Sequence, residues 1–194
     1  MNRRTLRKVC GIWKENMDAS LANMKPRGYQ KNAINVLNEK GLFFAVCGAS
    51  RMGKSWILSG LANDLIDEAC EKMALEMEMD GDAVKKIRGV VRYMTFFEFE
   101  LMLREAQTKG DMFALFNDLL SPNVLIVDEY GRGKWSDFTA TFFQNLLIKR
   151  YGEKKRTLIG SNLKQVEFLE MMDLAIIERL GMHNVVTLKN NGNE

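Results

Sequence analysis

The chain has 194 residues, 46% of them hydrophobic and 27% charged, proportions that exclude a disordered or fibrous protein and fit one globular domain. Its 28 basic and 25 acidic side chains leave a net charge of +3, a balance too mild to announce nucleic acid by itself. Three scattered cysteines, Cys10, Cys47 and Cys70, and the single histidine, His183, exclude a zinc cage, a disulfide framework and two-histidine metal motifs. No apolar run follows the basic start and none reaches 18 residues, so the expectation is a cytoplasmic protein with neither signal peptide nor membrane span.

In chain order, residues 3–17 read as a basic amphipathic helix. Leu6, Val9, Cys10, Trp13 and Met17 recur at helical spacing, and Arg3, Arg4, Arg7, Lys8 and Lys14 supply the charge. That helix packs on the body, docks on a partner or lies on DNA. Lys25-Pro26-Arg27-Gly28 marks a boundary, and a second helix runs from Tyr29 to Leu37 or Glu39. Residues 42–47 form a short apolar run typical of a buried parallel strand. A loop over 48–55 and a helix over 56–70 follow. Residues 68–87, acidic and carrying Met73, Met77 and Met79, read as an insertion that extends the helix or loops out of the body.

Strands are predicted at 90–95, 124–127, 156–160 and 184–188. Helices are predicted at 97–107, 112–120, 135–150, 165–171 and 174–180, before a polar tail. Strands alternating with helices imply an α/β protein with a parallel sheet covered on both faces.

Gly48-Ala49-Ser50-Arg51-Met52-Gly53-Lys54-Ser55 satisfies G-x-x-x-x-G-K-[ST] between a strand and a helix. Gly48 and Gly53 let the backbone bend so that successive N–H groups face phosphate oxygens, and the helix beginning near Trp56 adds its positive end. Lys54 brings a mobile cation to the β- and γ-phosphates, and the Ser55 hydroxyl is a ligand for Mg²⁺. The predicted cofactors are ATP and Mg²⁺, with Gly48 through Trp56 as the nucleotide-binding stretch.

Val124-Leu125-Ile126-Val127-Asp128-Glu129 places two carboxylates at the C-terminal end of a buried strand, the edge at which open α/β sheets bind ligands. Asp128 suits a Mg²⁺ ligand acting through the ion's water shell, and Glu129 a general base for the attacking water. Thr157-Leu158-Ile159-Gly160-Ser161-Asn162 repeats the design of a strand with a polar end, with Asn162 as a sensor of the γ-phosphate or the water.

With these motifs the chain resembles the AAA+ ATPases of the DnaC/DnaI replicative helicase-loader group and their relative IstB, a transposition helper ATPase. The likeness is carried by GASRMGKS, LIVDEYG, LLIKRYGEKKRTLIGSNL and AIIERLG, and spans residues 27–188. It implies an AAA+ core, a P-loop NTPase fold with a five-stranded parallel sheet. Residues 26–188 would form the ATPase domain, 1–25 a short N-terminal helical extension and 189–194 a flexible tail, with no room for a C-terminal lid domain.

The resemblance also implies that Arg179 is an arginine finger completing a neighbour's site. The lone protein would then be a slow ATPase that self-associates with nucleotide. The partners implied are a replicative helicase and single-stranded DNA, with no membrane, and the compact size suits a phage or mobile element. Two other readings stay open: an IstB-like helper on duplex DNA, and an ATP-switched protein that inhibits a host helicase. A superfamily-2 helicase, which Arg27-Gly28-Tyr29-Gln30 faintly resembles, fails on length.

For nucleic acid, the candidate contacts are the first helix, Arg132 with Lys134, and the run Lys149, Arg150, Lys154, Lys155 and Arg156. Trp135, Phe138, Phe96 and Phe97 are candidates for stacking on bases, against the alternative that they are core.

Overall fold

A computed structural model describes residues 3–39, 41–75, 83–131, 136–181 and 184–189. Part of the predicted insertion (with Met77 and Met79), Arg132, Lys134, Trp135, His183 and residues 190–194 lie outside the described residues.

Strands β1 (Phe43–Cys47), β2 (Val91–Thr95), β3 (Val124–Tyr130), β4 (Arg156–Ser161) and β5 (Val185–Thr187) pair in parallel in the order β2-β3-β4-β1-β5. Because β4 is inserted between β3 and β1, the phosphate loop and the acidic strand end stand one strand apart. The strands are apolar at consecutive positions because both faces are covered. Along β1, Phe43, Ala45 and Cys47 enter one core while Phe44 and Val46 enter the other.

The first core lies under helices α5 (Phe96–Lys109), α6 (Met112–Leu120), α7 (Asp137–Gly152), α8 (Gln165–Glu170) and α9 (Leu174–Leu180). Its centre is an aromatic cluster of Phe96, Phe99, Tyr130, Phe143 and Phe168. The second core lies under α1 (Arg3–Val9), α2 (Gly28–Asn38), α3 (Lys54–Leu75) and α4 (Ala83–Val90). No helix among the described residues is long and apolar enough to cross a membrane.

The N-terminal segment departs from the predicted 15-residue helix. Helix α1 stops at Val9, and Gly11 adopts φ +91° where a Cβ would stand 1.9 Å from the Tyr93 carbonyl oxygen. The chain here runs along the open edge of β2, and the Tyr93 N–H donates to the Cys10 carbonyl at 2.8 Å. Leu6, Cys10, Ile12 and Met17 are buried in the second core, and Arg7 pairs with Asp67 of α3 at 2.6 Å. Of the three placements open to this segment, packing on the body is the one observed. A covered edge strand is also protected from pairing with another chain.

The predicted basic run at 149–156 divides. Arg150 is wholly buried. Its guanidinium donates to the carbonyls of Leu119, Leu120, Pro122, Asn123 and Arg156, and its Nε–H donates to Thr157 Oγ1 at 2.9 Å. Arg156 donates to the carbonyls of Gly41 and Leu37, and Lys155 to that of Leu120. These side chains tie loops together at the N-terminal edge of the sheet, so Arg150 presents no surface to nucleic acid, and the half-buried Arg156 has its guanidinium engaged by backbone carbonyls. Phe96 is likewise core, whereas Phe97 and Phe138 are exposed.

Candidate nucleotide site

The phosphate loop leaves β1 at Cys47 and enters α3 at Lys54. Gly48 adopts φ +144°, where a Cβ would meet the Leu188 carbonyl oxygen at 2.7 Å, and Gly53 adopts φ +87°. Arg51 is left-handed without being glycine (φ +65°). The loop is anchored on both sides. The Gly48 N–H donates to the Ser161 carbonyl at 3.2 Å, and the Leu188 N–H donates to the Cys47 carbonyl at 2.8 Å.

A further brace comes from α2. Gln30 donates from Nε2 to the Met52 carbonyl at 3.0 Å while its Oε1 accepts from the Arg27 N–H at 2.9 Å. Gln30 belongs to the short motif at 27–30 that resembled another helicase class. Its role here is to hold the loop.

Lys54 is buried, and its ammonium donates to the carbonyls of Gly48 and Ala49 at 2.8 and 2.7 Å. Burial lowers its pKa, while Asp128, Cys47 and Glu129 oppose that shift by favouring the charged form. Lysine and both carboxylates therefore share one electrostatic neighbourhood at the C-terminal edge of the sheet. Ser55 is half-buried, and Trp56 stands exposed on the first turn of α3.

Asp128 points to the α3 face of the sheet because it shares parity with Val124 and Ile126, which enter the second core. Its carboxylate is buried, with both oxygens engaged. Oδ1 accepts from the Glu129 N–H at 2.8 Å and Oδ2 from the Tyr93 hydroxyl at 2.6 Å. A Cβ on Gly160 would stand 2.1 Å from Asp128 Oδ1, so the neighbouring strand must carry glycine there.

After Asp128 the β3–β4 register shifts, and Glu129 adopts φ +59°. A bulge of this kind re-aims one side chain at a strand end. Glu129 faces a cleft of about 530 Å³ that Trp13, Thr95, Phe97 and Glu98 also line.

Ser161 Oγ donates to the Tyr130 carbonyl at 2.8 Å and accepts from the Leu163 N–H at 3.2 Å, and Asn162 follows in an exposed position at the same edge. Lys54, Ser55, Asp128, Glu129 and Asn162 thus converge. Arg179 does not join them. Its guanidinium lies 5.8 Å from the centre of the Tyr151 ring, Tyr151 stacks on Phe43 at the opposite end of β1, and Nη1 donates to the Ala175 carbonyl at 2.6 Å. A strand's length, roughly 15 Å, separates that end from the phosphate loop.

Mg²⁺ bound to nucleotides is held by one or two carboxylates, waters and the phosphates. Ser55 and Asp128 offer donors of that class. One turn beyond Ser55, the buried Ser59 Oγ makes no well-formed hydrogen bond, although the Tyr93 hydroxyl lies beside it, and a water of a hydrated ion would complete its bonding.

The family model described as IstB-like ATP binding protein matches residues 44–193, most of the chain. The protein belongs to the IstB-like ATP-binding family. The fold of this IstB-like chain is that of AAA+ replication proteins. It superposes on the crystal structure of the DnaC helicase loader with a TM-score of 0.64 and 18% identity, over 91% of this chain and 100% of that one. On DnaI the TM-score is 0.60 with 15% identity, over 94% of each chain. On replication initiator DnaA bound to AMPPCP and single-stranded DNA it is 0.69 with 16% identity, over 93% of this chain and 51% of that one. The chain spans about half the length of such DnaA chains. A search of curated protein sequences finds no match.

Proposed function

We propose that this IstB-like AAA+ domain hydrolyses ATP and acts in DNA replication as a helicase loader or a loader-like remodeller on single-stranded DNA. The observation that carries the reading is the convergence of Lys54, Asp128 and the left-handed Glu129 at one sheet edge, across the strand that ends in Asn162. Lys54 and the loop N–H groups would hold the phosphates. Ser55 and Asp128 would hold Mg²⁺, which supplies charge neutralisation on the phosphates. Glu129 would take a proton from the attacking water, and Asn162 would register the γ-phosphate. Arg179, at the far edge, would complete the site of a neighbouring subunit.

The loader reading is supported by the end-to-end match with the DnaC loader, and the single-stranded DNA reading by the likeness to DnaA in its DNA complex. The family match favours a second reading, a transposition helper on duplex DNA.

Purified protein, with Lys54→Ala and Glu129→Gln variants, tests these roles. Lys54→Ala is expected to abolish nucleotide binding. Glu129→Gln is expected to bind ATP like the parent and to lose hydrolysis by at least about 100-fold. Normal hydrolysis by Glu129→Gln would remove the base assignment. With a slowly hydrolysed analogue, salt-sensitive binding of a single strand in preference to duplex supports the loader reading, and the reverse preference supports the helper.

A further inference from the structure

The group that reaches the Asp128 carboxylate is Tyr93, and neither nucleotide motif of the sequence asks for it. Tyr93 stands on β2, opposite Ile126 of β3, two residues before Asp128. From there its side chain runs diagonally over the α3 face of the sheet, and its hydroxyl donates to Asp128 Oδ2 at 2.6 Å with both residues buried. The Ser55 and Ser59 hydroxyls lie beside the same phenol. The phenol therefore stands between the two side chains read above as the Mg²⁺ pair.

Its backbone is held independently. The Tyr93 N–H donates to the Cys10 carbonyl, in the N-terminal segment that closes the edge of the sheet. Burial and the adjacent carboxylate push the phenol pKa well up, so the hydroxyl remains a donor throughout the physiological range.

We propose that Tyr93 is a positioning residue for the Mg²⁺ of the bound nucleotide. It fixes the rotation of the Asp128 carboxylate and touches neither ion nor phosphate. A carboxylate held only by the Glu129 N–H at Oδ1 keeps freedom at its other oxygen, whereas one held at both oxygens presents a single orientation to the water shell of the ion. Mg²⁺ demands near-ideal octahedral geometry, so it rewards such an orientation more than a larger, more tolerant cation does. Partners of this kind behind metal ligands alter metal affinity by about 10–100-fold.

The inference rests on the reading of Ser55 and Asp128 as metal ligands, and the test separates the two. Tyr93→Phe keeps the ring and removes one oxygen. A fluorescent ATP analogue is titrated onto wild type and variant in EDTA and across a Mg²⁺ series, with melting temperatures measured alongside. The expected result is a rise of about tenfold in the half-saturating Mg²⁺ concentration, with affinity in EDTA unchanged.

In an Asp128→Asn background the same substitution is expected to add nothing. An unchanged Mg²⁺ requirement overturns the proposal. Equal losses with and without Mg²⁺, or a full further loss in the Asp128→Asn background, also overturn it by reducing Tyr93 to a packing role. Wild-type binding indifferent to Mg²⁺ overturns the metal assignment itself.

Discussion

Glu129 takes its direction from an unusual backbone conformation. A glutamate at φ +59° sits in a region that costs about 1–3 kcal/mol for a residue other than glycine. The register shift with β4 and the Asp128 hydrogen bond to its N–H hold it there. The same tightness governs Gly160. A methyl at that position would stand 2.1 Å from Asp128 Oδ1 and 2.8 Å from Leu58, so the carboxylate must move. Gly160→Ala is expected to lower ATP hydrolysis by roughly 100-fold, since misplacement by about 1 Å costs that much, while ATP binding in EDTA stays near the parental value. Steady-state hydrolysis together with an analogue titration checks this.

The phosphate loop, Asp128 and Glu129 were legible in the sequence because each lies in a contiguous motif beside an apolar run. Tyr93, Gln30 and the requirement for glycine at 160 were not. Each acts through a partner more than 20 residues away, and the pairing exists only once strand register and helix placement are set.

At the scale of elements, periodicity found the strands to within a few residues, because buried parallel strands are continuous apolar runs. It overextended the first helix, since Leu6, Cys10 and Met17 fall at helical spacing, yet only Leu6 lies in α1; the chain bends at Gly11 and buries Met17 after a separate short turn at 14–16. Charge patterning misled at 149–156 for a related reason. A sequence does not distinguish an arginine in solvent from one caged by carbonyls. Arg150 gathers the end of α6, the turn before β3 and the start of β4 through five carbonyls. Burial lowers its pKa to about 10, which still leaves it charged at neutral pH.

Arg150→Met is expected to destabilise the fold by about 3–5 kcal/mol, because the carbonyls lose their donor inside the protein. Arg150→Lys recovers only part of that loss, as an ammonium cannot span the same fork. Denaturant unfolding of the three proteins measures both effects. A loss within about 0.5 kcal/mol for Arg150→Met would show the cage to be dispensable.

For the whole molecule, sheet order decides which groups can meet. Lys54, Ser55, Asp128, Glu129 and Asn162 gather at the C-terminal edge, whereas Arg179 and Tyr151 sit at the N-terminal edge, a strand's length away. Within one chain Arg179 cannot reach the nucleotide. Among the described residues its partners are the Ala175 carbonyl and the Tyr151 ring, with no carboxylate. An exposed guanidinium lightly held at that edge supports the proposal that, in an assembly, each subunit finishes its neighbour's site. In GTPases such a residue is worth about 10³–10⁵ in rate.

Mixing two inactive variants tests whether the proposed ATPase site is shared between subunits. Lys54→Ala loses its own nucleotide but keeps Arg179, while Arg179→Ala binds nucleotide but lacks the arginine. Each alone is expected to hydrolyse ATP at background rate, and mixtures at constant total protein are expected to recover part of the wild-type rate, peaking at intermediate ratios. Background hydrolysis at every ratio would contradict the shared site.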